Sequence, residues 1–134
     1  MTTIESSVVI NQPIEQVYSF LADFNNHQQL MPEQISNWSS TYDSATFDIK
    51  NMGTLALKIQ ERVANTQIRL LPEGRTPFPL SLIWTLEKTA DQLTQANLAI
   101  KAELNMMMKM IATGPLQELT KAETSRLKAI FEKG

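Results

Sequence analysis

The stretch Val8-Val9-Ile10-Asn11-Gln12-Pro13-Ile14-Glu15-Gln16-Val17-Tyr18-Ser19-Phe20-Leu21-Ala22-Asp23 changes its period within a few residues. Up to Ile10 the pattern is a strand: Ile4, Ser6, Val8 and Ile10 share one face, and Thr3, Glu5, Ser7 and Val9 the other. Beyond it Ile14, Val17, Tyr18 and Leu21 recur at helical spacing, which predicts a helix over 13–22. Asn11 suits the N-cap, Pro13 the first turn, and Glu15 complements the helix dipole. Asn25-Asn26 interrupts the pattern, and a second short helix is expected over 27–31, stopped before Pro32.

From Ile35 the period becomes two. Ile35 to Tyr42 reads as a polar strand. Ala45, Phe47 and Ile49 then share a face, as do Leu55, Leu57 and Ile59 after the turn at Gly53, and Ile68 with Leu70. Leu80, Leu82, Trp84 and Leu86 alternate with Ser81, Ile83, Thr85 and Glu87. Ala96, Leu98, Ile100, Ala102 and Leu104 complete the series. Short links between these strands imply an antiparallel meander with one buried face. Asn105 is placed to cap a final helix from Met106 to Lys133, with a kink or restart expected at Gly114-Pro115, where proline withholds a hydrogen bond from Ile111. The predicted inward stripe runs Met107, Met108, Ile111, Ala112, Leu116, Leu119, Ala122, Leu127, Ile130 and Phe131.

The chain has 134 residues, a length that suits one domain over 1–134. Its net charge of -2 is scattered, and no basic cluster is present to neutralise phosphates, so nucleic acid is not an expected partner. With no cysteine, disulfides, thiolate catalysis and sulfur-ligated metals are excluded. The single histidine, His27, cannot build a His-rich metal site, and its polar neighbours Asn25, Asn26, Gln28 and Gln29 point to a surface position. No nucleophile elbow, phosphate loop or dinucleotide fingerprint occurs, and no cofactor is expected. The opening Met-Thr-Thr-Ile-Glu-Ser-Ser is not a signal peptide and no apolar run is long enough for a membrane span, so a cytoplasmic location is expected.

The order β-α-α-β6-α resembles the helix-grip fold of the START-like, or SRPBCC, superfamily, which includes the birch pollen allergen and bacterial polyketide cyclase-type proteins. The resemblance rests on the opening stretch, on Leu30-Met31-Pro32, on Trp84 and on Gly114-Pro115-Leu116. It implies an α+β fold in which a curved antiparallel sheet of about seven strands grips the long C-terminal helix. At Tyr42-Asp43-Ser44-Ala45 the chain lacks the glycine-rich loop of the allergen type, so no phosphate-loop-like role is expected there.

The resemblance also implies an elongated apolar cavity between sheet and helix, and hence the binding of a hydrophobic or amphipathic small molecule such as a lipid. The alternatives are a polyketide cyclase or dehydratase-like enzyme, which needs an acid and a base in the cavity, and a protein-interaction module, which uses a surface. Whether there is catalysis stays open. The expected lining is Trp84, Glu61, Leu57, Leu82, Met107, Met108 and Ile111. The methionines, with Met106 and Met110, adapt to irregular ligands and equally fill a plain core. Glu61 continues the inward face of Leu55, Leu57 and Ile59 and would be an acid or anchor there, unless a bulge near Gln60 turns it to solvent. Tyr42, Trp38 and Asn51 are within plausible reach of a cavity, and Arg75 of its mouth.

Overall fold

The computed structural model describes residues 2–50, 52–74, 76 and 78–132. Strands β1 (Thr2–Ile10), β2 (Ile35–Ser40), β3 (Ser44–Ile49), β4 (Gly53–Val63), β5 (Gln67–Pro72), β6 (Leu80–Ala90) and β7 (Leu93–Ala102) form one curled antiparallel sheet. Its order is β1-β7-β6-β5-β4-β3-β2, so the meander runs uninterrupted from β2 to β7 and β1 adds to its far edge. Helix α1 (Ile14–Ala22) and a 3-10 helix (Phe24–Leu30) follow β1, and α2 (Met106–Glu132) closes the chain. This is the helix-grip arrangement: a half-barrel wrapped on one long helix.

The alternation predicts the inner face of the sheet. Phe47, Leu57, Ile68, Leu70, Leu82, Trp84, Leu98 and Ile100 are all buried in a single core with α1 and α2. Burying such side chains contributes about 1.5–3 kcal/mol each. On β1 the inward series ends in Ile10, and Thr94 of β7 donates through Oγ1 to Gln12 O at 2.8 Å, tying the turn into α1 to the sheet.

The helix entries differ from expectation. Pro13, not Asn11, stands at the N-cap of α1; its extended backbone lets its carbonyl accept from Gln16 N and Val17 N at 3.1 and 3.3 Å. The second helix begins at Phe24 because the Asp23 carboxylate accepts from Asn25 N at 3.0 Å and caps it there. Asn105 does cap α2, its Oδ1 accepting from Met108 N at 2.8 Å. Pro115 lies inside α2, which continues through Gly114-Pro115 as one element rather than restarting.

The buried stripe of α2 is Ala112, Leu116, Leu119, Thr120, Glu123, Thr124 and Leu127. Thr120 and Thr124 are accommodated because each hydroxyl donates back into the helix, to Leu116 O at 2.6 Å and Thr120 O at 3.2 Å. Ser6 Oγ meets Thr124 Oγ1 at 2.8 Å and fixes the helix against β1. Phe131 packs edge-on to Phe20 of α1, with ring centres 5.5 Å apart.

Candidate functional site

Between the inner face of the sheet and α2 lies a cavity of about 20 Å³, room for a single water. Leu55, Leu57, Leu70, Leu82 and Ile100 line it from the sheet; Phe24, His27 and Met31 from the 3-10 helix and its exit; Leu116, Leu119 and Glu123 from α2. A second void of about 20 Å³ adjoins it, bounded by Met52, Gly53, Thr54 and Phe78 and sharing Ile49, Leu55, Leu80 and Leu116 with the first. The strand topology puts this second void at the end of the sheet where β3 meets β4, β5 meets β6 and β7 leads into α2.

Two polar side chains border the larger cavity. Glu123 is only 3% exposed. Burial raises its pKa from 4.5 to about 8, with no hydrogen bond to it among the described residues, which favours the protonated carboxyl at neutral pH. His27 is 1% exposed, with its ring edge-on to Phe24 at 4.8 Å. Desolvation lowers its pKa to about 4 against smaller opposing effects of the Leu21 carbonyl and Asp23, so its ring is neutral. Because a carbonyl only accepts, the 2.8 Å contact from Nε2 to Leu21 O places the proton on Nε2 and leaves Nδ1 as an acceptor.

The residues expected to line a ligand site fall in different places. Leu57 and Leu82 border the cavity. Trp84 is fully buried on the same strand face but lies outside the wall, its indole N–H without a partner among the described residues. Met108 packs against the core without bordering the cavity. Met107 and Ile111 are corrections: they are 71% and 48% exposed. Each precedes an inward residue, Met108 or Ala112, and is rotated by roughly 100° from the buried stripe. Asn51 and Arg75 lie outside the described residues.

Glu61 is a third correction. The β4–β5 pairing steps from Ile59 opposite Leu70 to Glu61 opposite Arg69, which leaves Gln60 as an extra residue. That bulge sends Glu61 to solvent, where its carboxylate accepts from Gln67 Nε2 at 2.9 Å. It also moves Arg62 onto the inner side, opposite the buried Ile68. There Arg62 donates to Ala22 O at 2.9 Å, Tyr42 O at 2.9 Å and the Asp43 carboxylate at 2.7 Å. Tyr42 therefore belongs to this clamp, and its ring is largely exposed. Trp38 stacks on Phe47 at 5.2 Å and meets Phe24 edge-on at 5.9 Å; both of those rings line the cavity.

Sequence reasoning missed Glu123 and misplaced His27. Both carried a signal. Leu119, Glu123 and Leu127 are spaced by four on one helix face. Phe24, His27 and Leu30 are spaced by three, the period of a 3-10 helix, and all three are buried. Among the described residues no three His, Asp or Glu side chains gather in a way that would hold a metal, and no helix is long and apolar enough to cross a membrane.

No protein-family model matches the chain, and no curated protein does. Solved structures do. The protein XoxI from Bacillus cereus superimposes with a TM-score of 0.77 at 14% identity, over 98% of this chain and 96% of that one. A START superfamily protein from Mycobacterium smegmatis gives 0.68 at 17% identity, over 96% and 98%. The di-domain ARO/CYC BexL from the BE-7585A biosynthetic pathway gives 0.73 at 15% identity, over 96% of this chain and 46% of BexL. The chain thus has the START-like, SRPBCC fold.

Proposed function

We propose that the protein binds an apolar or amphipathic small molecule between the sheet and α2. The observation that carries this reading is Glu123: a carboxyl on a residue only 3% exposed, with no hydrogen-bond partner among the described residues, on the wall of a cavity that is apolar apart from it and His27. An unpartnered buried carboxyl costs stability, and such groups concentrate where a ligand or reaction uses them. Apolar ligand surface removed from water supplies affinity at about 25 cal/mol per Å². Likeness in fold to a START superfamily protein and to an ARO/CYC protein is in keeping with a working interior.

A ligand larger than water requires the two voids to merge. Ile49, Leu55, Leu80 and Leu116 border both, and Met31 and Met52 are unbranched side chains that refit easily. The reading is tested by titrating isotope-labelled protein with small aliphatic and aromatic compounds. Saturable shifts at Leu57, Leu82 and His27 support it; a panel that leaves these signals still sinks it.

A second reading, a protein-interaction module, rests on a different observation. Met106, Met107, Met110 and Ile111 are 83%, 71%, 85% and 48% exposed, so the first turns of α2 present an apolar surface. In the same titrations this reading requires a binding partner to shift these residues while the cavity signals stay in place.

A further inference from the structure

Resting on the ligand-binding reading, we infer that the ligand's polar end is an uncharged oxygen, a carbonyl or hydroxyl, that accepts a hydrogen bond from the Glu123 carboxyl. The argument begins with what the cavity wall lacks. Among the described residues, no lysine or arginine borders it. Arg62 is engaged by Ala22 O, Tyr42 O and Asp43, and Arg126 is exposed and donates to Met31 O at 2.6 Å. A ligand carboxylate entering here would meet no counter-cation among the described residues, and it would face a second carboxyl. Stripped of water in apolar surroundings, it would be strongly disfavoured.

An ammonium fares little better. It would drive Glu123 to release its proton to solvent and leave an ion pair surrounded by Leu57, Leu82, Leu119 and Phe24, with most of its N–H groups unmatched. An uncharged oxygen needs one donor, and the acid supplies one. His27, with Nε2–H committed to Leu21 O, borders the same cavity and has no N–H left to offer a ligand. The site therefore matches neutral oxygen compounds on an apolar skeleton and discriminates against fatty-acid-type anions.

The test uses one compact skeleton with different polar ends: benzyl alcohol, benzaldehyde, benzoate, benzylamine and toluene. Each is titrated into the full-length protein in slightly acidic buffer, where benzoate and benzylamine keep their charges, and shifts of the Leu57, Leu82 and His27 signals are followed. Alcohol and aldehyde should bind roughly tenfold tighter than toluene, and the two ions more weakly than toluene. Glu123→Leu should reduce alcohol and aldehyde to the level of toluene, while Glu123→Gln, whose amide still donates, should keep most of the preference. Benzoate or benzylamine binding as tightly as the alcohol overturns the inference and leaves the ligand-binding reading standing. So does a Glu123→Leu variant that keeps the full preference. If none of the five, toluene included, moves the cavity signals, the inference falls together with the reading it rests on.

Discussion

The guanidinium carbon of Arg62 stands 4.1 Å from the centre of the Tyr42 ring while its nitrogens bind Ala22 O, Tyr42 O and Asp43. One side chain from β4 thus ties the C-terminal end of α1 to the turn between β2 and β3. Arg62→Ala should destabilise the protein by about 2 kcal/mol, the scale of charged hydrogen bonds to carbonyls left without a donor. Asp43 is mostly exposed, so Asp43→Asn should cost under about 1 kcal/mol. Arg62→Lys should recover little, because an ammonium cannot present the planar fork. Urea unfolding of the three variants checks the order; equal losses for Arg62→Ala and Asp43→Asn would contradict it.

Glu123 and His27 impose opposite pH dependences. Between pH 4.5 and about 8 the folded protein holds a proton on Glu123 that the unfolded chain has released, so this contribution is full below pH 4.5 and is lost as pH rises through about 8. Between about 4 and 6.5 the unfolded chain protonates its histidine and the folded protein does not, so that contribution is full above pH 6.5 and lost as pH falls through about 4. From these two groups a plateau is expected between pH 4.5 and 6.5, where the slopes cancel, with a decline of about 1.4 kcal/mol per pH unit from 6.5 towards 8. Glu123→Gln should abolish that alkaline decline. Wild-type stability that stays level from pH 6.5 to 8 would show that Glu123 ionises freely in the fold.

Pro115 withholds an N–H from Ile111 inside a continuous helix, and the space around Gly114 is open. Pro115→Ala should therefore stabilise, by up to about 3 kcal/mol. Gly114→Ala should add about 0.5–1 kcal/mol, since a methyl there meets no atom within 4 Å. Melting temperatures of the single variants decide it. A loss of stability in Pro115→Ala would mean that the proline shapes the helix to the sheet.

Trp38, which touches the cavity-lining Phe24 and Phe47, should report cavity occupancy more strongly than Trp84, which lies behind the wall. Ligand-dependent emission is expected to persist in Trp84→Phe and to fall sharply in Trp38→Phe. The reverse pattern would place the ligand deeper under β6.

The meander was legible because burial on one face of a strand leaves a period of two, which Leu82, Trp84 and Leu86 display without interruption. What stayed hidden depends on partners. The bulge at Gln60 exists only as a mismatch against Leu70 and Arg69, so no pattern within β4 announces that Glu61 turns out and Arg62 turns in. The dense methionines drew attention to the start of α2, yet the direction of a helix face is set by where it docks, and Leu116, Leu119 and Leu127 set it away from Met107 and Ile111. His27 was obscured by its polar neighbours, which point outward from the same short turn.

The pairing of Thr2 with Ala102 joins the first strand to the last. During synthesis β1 leaves the ribosome before the other strands of this sheet, yet its strand partner is the last of them to emerge, and the helix that packs on it follows later still. The meander from β2 to β7 can zip by local steps; β1 cannot join it until nearly the whole chain is available, and closing so long a loop is slow. A nascent chain cut before Leu93 leaves Val8-Val9-Ile10 without a mate. The same apolar run that announces the fold is thus the part of the newborn chain exposed longest to aggregation.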